Sequence, residues 1–149
     1  MHGFRAEDGF GLCLTYPPAN STTPSAAFAF ETGEVWSVDT ELLGSGQIIP
    51  FLEPIVMARF ADYVRFLEAL SVDPPYRWIC GMTGVKGYRA QVPVQAGYFR
   101  RGQGPLCYSE TIRAEGMFNG TESVQTALLP FFKEIFDRCG IPRPAHLAT

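Results

Sequence analysis

The sequence predicts an α+β fold: a largely antiparallel sheet of about six strands with two amphipathic helices on one face, in the order βββαβββα. Three observations predict it. Apolar residues recur at spacings of three and four in only two stretches, 55–70 and 124–139, the period of a helix with one buried face. The rest consists of short apolar runs broken by Gly and Pro, as strands and turns are. Finally, 149 residues with 46% hydrophobic and 18% charged suit a single domain, 1–149, with one core, and exclude disorder.

In chain order, 9–16 (GFGLCLTY) is a short β-prone run ended by Pro17-Pro18. Residues 26–31 and 34–40 read as two strands around a two-residue turn at Thr32-Gly33. In that register Phe30 faces Val35 and Ala29 faces Trp36. The first helix follows Pro50 and Pro54, both tolerable near a helix start. Its expected buried face is Val56, Phe60, Tyr63, Val64, Leu67 and Leu70, with Arg59, Asp62, Arg65 and Glu68 opposite. It carries the main apolar stripe and is stopped by Asp73-Pro74-Pro75.

The strand at 76–82 puts Trp78 and Cys80 on one side and Arg77 and Ile79 on the other. A glycine-punctuated loop, GMTGVKG, then leads to extended segments at 88–94 and 106–118. Thr121 or Ser123 caps the last helix, with Val124, Leu128, Phe132, Ile135 and Cys139 inward and Pro130 interrupting it. Gly140 and Pro142 end it, and the tail PRPAHLAT is expected to be loose.

Much chemistry is excluded at this level. No run of 18 apolar residues and no basic–apolar leader is present, so no membrane span is expected and the default expectation is a cytoplasmic location. The four cysteines, Cys13, Cys80, Cys107 and Cys139, show no CxxC spacing and read as reduced, buried packing residues. The two histidines, His2 and His146, lie in termini expected to fray, which argues against a His-based catalytic triad. No metal-ligand spacing, phosphate-loop motif or cofactor signature occurs, so no catalytic residue, metal or cofactor is assigned. GMTGVKG could offer backbone amides and Lys86 to an anion, but a hairpin or bulge that needs glycine is the simpler reading.

Charge is the sharpest feature. From Pro74 to Ser109 there is no acid, but there are Arg77, Lys86, Arg89, Arg100 and Arg101, against a net −8 for the remainder (seven basic and fifteen acidic residues). Aromatic residues interleave. Cations neutralise phosphates and rings stack on bases, so Arg77, Trp78, Lys86, Tyr88, Arg89, Tyr98, Arg100 and Arg101 are the candidate binding residues for a nucleotide or nucleic acid. The plainer alternative is a cationic surface that docks onto an acidic protein partner or sister domain.

The stretches GEVWSVDTELL and IIPFLEPIVMARFADYVRFLEALSVDPPYRWICGMTGVKGYR resemble the C-terminal region of bacterial Schlafen/AlbA-type DNA-binding proteins. The matching residues are 33–39, 72–75 and 84–89, within a likeness spanning about 26–89. The resemblance implies an accessory domain of a bacterial regulatory or defence-like protein. The DNA-binding domain of that family lies N-terminal to this region, so no DNA-contacting residue is carried over.

Three functions follow as expectations. The first is a non-catalytic accessory module engaging a partner domain or an anionic ligand. The second is a metal-dependent phosphodiesterase or nuclease using some of Glu31, Glu34, Asp39, Glu110 and Glu115. The third is a structural homodimerisation domain that buries Phe28, Phe30 and Trp36 across a two-fold axis.

Overall fold

The computed structural model describes residues 2–13, 24–43, 46–93 and 104–147. The chain divides into two compact units, 1–44 and 45–149. Tyr98, Arg100 and Arg101 lie outside the described residues, as does the end of the strand expected at 9–16.

The first unit is an antiparallel meander of β1 (His2–Ala6), β2 (Gly9–Cys13), β3 (Ser25–Phe30) and β4 (Val35–Asp39), in that spatial order. Strand β1 occupies the end expected to fray. It is held by a tight turn at Glu7-Asp8, which leaves Ala6 opposite Gly9.

The β3–β4 register differs from the expected one by a residue. The Phe30 amide donates to the Glu34 carbonyl at 2.8 Å and the Gly33 amide to the Phe30 carbonyl at 3.0 Å. The loop is therefore the three residues Glu31, Thr32 and Gly33, with Gly33 at φ +89°. A type I turn completed by a left-handed glycine has this form. Ala29 thus faces Val35, and Phe28 faces Trp36. A one-residue slip exchanges the faces of a strand, so this register places Trp36 with Phe28 and Phe30 rather than with Ala29.

The second unit contains α1 (Glu53–Ala69), α2 (Val124–Asp137), two small sheets and a single 3-10 turn at Ala145–Leu147. Strands β6 (Tyr76–Thr83) and β8 (Thr111–Phe118) pair antiparallel over eight residues each. Strands β5 (Ile48–Ile49) and β7 (Arg89–Ala90) form a short parallel pair. Among the described residues, the single six-stranded sheet is therefore corrected to three sheets of four, two and two strands. Two strands, β1 and β5, were not expected at all.

Helix α2 is the principal core element, a correction to the expectation for the first helix. It packs on β8 and buries Ala127, Leu128, Phe131, Phe132, Ile135 and Phe136. That stripe is wider than the expected one because both neighbours on the inward side of each turn are large and apolar. Ser123 Oγ accepts from the Thr126 amide at 3.1 Å and caps it. Pro130 is exposed on the outer side, and the helix continues through it. In α1 only Glu53 is fully buried, and Leu70, expected inward, is 58% exposed. Phe60 nevertheless meets Phe118 edge-on at 5.4 Å, and α1 also contacts α2.

Helix α1 ends before the prolines. Ser71 is left-handed, at φ +59°. Its amide donates to Glu68 O at 2.9 Å, while that of Val72 donates to Leu67 O at 3.0 Å. These are the two bonds of a Schellman motif, with serine where glycine is usual.

Candidate functional site

Strand alternation in β6 decides the fate of the basic candidates. Arg77 lies on the exposed face, where Glu115 accepts from it at 3.0 Å and from Arg113 at 3.2 Å. Two guanidinium groups therefore share one carboxylate. At this exposure such pairs contribute little to stability, but they balance much of the charge Arg77 was expected to offer. Ile79, Gly81, Met82, Thr83, Thr111 and Ile112 line a shallow depression of about 240 Å³ beside Arg113.

Trp78 points the other way. It is 6% exposed and lies opposite Gly116. A Cβ on Gly116 would stand 2.7 Å from the indole ring, so the glycine is what makes room for it. The indole Nε1–H is buried and meets no acceptor among the described residues. Trp78 is thus a core residue and not a stacking platform, because the strand's two-residue period turns it inward.

The glycine-rich loop is drawn into the fold. Val85 is fully buried, and its amide donates to Glu110 O at 3.3 Å. The Gly87 amide donates to Cys107 O at 2.8 Å and the Tyr88 amide to Val85 O at 3.0 Å. These three amides are bonded to carbonyls and so are not offered to an anion, and Gly84 and Gly87 sit at φ +75° and +81°. Lys86 and Arg89 are exposed and Tyr88 is half-buried. Arg89 donates to Gly104 O at 3.0 Å. Neither Lys86 nor Arg89 pairs with a carboxylate among the described residues.

Of the acids expected of a nuclease, Glu31, Glu34 and Asp39 belong to the first unit and Glu110 and Glu115 to the second. Asp39 Oδ1 accepts from the amides of Glu41 and Leu42 at 2.9 and 3.0 Å, closing a turn after β4. Among the described residues no three of His, Cys, Asp and Glu stand close enough to share a metal ion.

The most developed surface extends the group of Phe28, Phe30 and Trp36 expected of a dimerisation face. Phe4 faces Gly11, Gly11 faces Phe28 and Phe28 faces Trp36, a single row across all four strands of the first sheet. A Cβ on Gly11 would stand 2.2 Å from the Phe4 ring. With glycine there, that ring crosses β2 to within 6.1 Å of Phe28. Phe28 lies 4.5 Å from Phe30 and 6.0 Å from Trp36, the latter stacked at 19°. Trp36 and Val38 remain 45% and 51% exposed. The first unit holds no helix among its described residues, and Phe10 and Leu12 on the opposite face are also exposed. Its charge is one arginine against six carboxylates, a net −5.

Two buried pairs escaped the sequence reading. Arg143 and Glu53 form a bidentate ion pair within the second unit, both bonds 2.7 Å. Arg143 also bonds the Leu147 carbonyl, and Gln125 donates to the same oxygen at 3.3 Å. The tail expected to be loose is thus pinned through residue 147. Cys107 and Cys139 are the second pair, both buried and brought together by the bond from the Tyr108 amide to the Arg138 carbonyl at 3.0 Å. No local sequence signal links either pair, since 90 and 32 positions separate the partners.

Comparison of the chain with protein-family models, with curated proteins and with solved structures returns no match.

Proposed function

We propose that this chain is a non-catalytic binding module whose working surface is the aromatic face of its first sheet, and that its partner is a basic, apolar segment of another protein. One observation carries the reading: four rings, Phe4, Phe28, Phe30 and Trp36, share one sheet face with Trp36 well exposed, on a unit of net −5. Apolar patches of this kind mark interaction sites. Aromatic faces attract Lys and Arg head groups as well as apolar side chains. Glu34 stands opposite Phe30, on the side of the strand that carries Trp36, and adds a carboxylate to the rim. The same charge opposes a second copy, which would bring −5 against −5.

The test is calorimetric titration with a short peptide alternating valine and lysine, beside its valine–glutamate counterpart. The lysine peptide binds, salt weakens it, and Trp36→Ala weakens it by about tenfold or more. The reading fails if neither peptide binds at low salt, or if Trp36→Ala changes nothing. A concentration-dependent dimer in sedimentation would instead make a second copy the occupant.

A second reading keeps an anionic ligand, a nucleotide or single-stranded nucleic acid, at Lys86 and Arg89 with Tyr88 beside them. It is favoured by the exposure of both cations and their lack of a carboxylate partner among the described residues. Fluorescence anisotropy with labelled single-stranded DNA and RNA at two salt concentrations tests it. Salt-sensitive binding lost in Lys86→Glu/Arg89→Glu supports this reading, and no binding at low salt removes it.

A further inference from the structure

We infer that Cys107 and Cys139 form a dithiol that closes to an intramolecular disulfide in an oxidising thiol–disulfide medium, stapling the end of α2 to the segment before β8. The geometry carries this. The Tyr108 amide donates to the Arg138 carbonyl at 3.0 Å, which lays the residue before one against the residue after the other. The Cys107 amide is fixed in turn to Tyr88 O at 2.8 Å, so the backbone on that side is held. Both side chains are buried, at 1% and 2% exposure. Cys107 Sγ donates to Ser109 O at 3.4 Å. The backbone bond from Tyr108 to Arg138 sets Cys107 and Cys139 side by side, as a non-hydrogen-bonded pair stands across an antiparallel ladder.

The reaction needs an oxidant, and a small-molecule disulfide such as oxidised glutathione supplies it. One cysteine, as thiolate, attacks that disulfide, forming a mixed disulfide and releasing one glutathione thiolate. The other then attacks the mixed disulfide at the protein sulfur, forming the protein S–S bond and releasing a second glutathione. Two protein thiols lose two hydrogens in all, and one glutathione disulfide becomes two thiols. Burial pushes the Cys139 thiol up to about 12, with Cys107 beside it adding to the rise. The folded pair is consequently slow to form thiolate, and exchange runs through opening of the α2 terminus or during folding. The 31 residues between the two cysteines span β8 and α2, so the staple encloses the main packing layer of the second unit.

The test is to refold the full chain in a glutathione redox buffer, map its disulfides by mass spectrometry, and compare stability with and without reductant. A 2 Da mass loss with a linked 107–139 peptide is expected, together with a folded-to-unfolded ratio raised on the order of a hundredfold and reversed by a thiol reductant. Cys107→Ala/Cys139→Ala is expected to abolish both effects; mapping the unmutated chain decides the issue even if that variant fails to fold. Four free thiols after equilibration, or linkage through Cys13 or Cys80 instead, overturns the inference.

Discussion

Arg143 holds both carboxylate oxygens of Glu53, each bond 2.7 Å and each side chain 5% exposed. The pair joins the first turn of α1 to the C-terminal segment, and Glu53 also faces the positive end of the helix dipole. Removing one partner strands the other charge in the core. Arg143→Met is expected to destabilise the second unit by about 3–5 kcal/mol in urea denaturation, and Glu53→Leu/Arg143→Met to recover most of that loss.

Gly116 is expected to resist any side chain. In Gly116→Ala the new methyl meets the Trp78 ring at 2.7 Å, and overpacking of this kind costs about 1–3 kcal/mol. Denaturation gives the cost. A red shift of tryptophan emission reports the displacement, since Trp78 is the buried tryptophan and Trp36 the exposed one.

Ser71 occupies the left-handed position that ends α1, at φ +59°. An L-residue there carries strain that glycine does not. Ser71→Gly is expected to stabilise by about 0.5–1 kcal/mol, seen as a raised denaturation midpoint with an unchanged slope. A loss of stability would show that the serine side chain does more for this turn than its backbone costs.

Glu122 gives the acid limb of stability a traceable component. Its carboxylate accepts from the Asn119 amide at 3.0 Å, and backbone hydrogen bonds, that one first, hold its pKa below the usual carboxylate value. A depressed folded pKa means stability that is present above the unfolded pKa and lost as pH falls through the folded one. Glu122→Gln is therefore expected to be less stable than the unmutated chain at pH 7, by a margin that narrows at pH 3. Equal differences at both values would remove Glu122 from the pH dependence.

Local pattern carried much of this fold and little of its surface. The two helices, the stop at Gly140, the Ser123 cap and the alternation of Arg77 and Trp78 all depend on neighbours within a few positions, which sequence displays. Whether Trp36 joins Phe28 depends on one extra loop residue, and a glycine in left-handed conformation serves a two- or a three-residue turn equally well. The alternation that exposes Arg77 also buries Trp78, so a list of basic and aromatic residues could not by itself make a site. Arg143 gave no hint of its partner, since an arginine between two prolines reads as a solvated tail. Pro130 signalled a break but lies on the outer side of α2, where the missing amide disturbs no inward contact.

The first sheet is one layer thick within its own unit, with rings on one face and Phe10 and Leu12 on the other. A partner that covers such a layer only when it is folded would raise its melting temperature with the partner's concentration. A ligand present at a hundred times its dissociation constant adds about 2.7 kcal/mol to whatever it binds when folded. If the proposed partner binds this face only when the sheet is folded, occupancy and folding are linked.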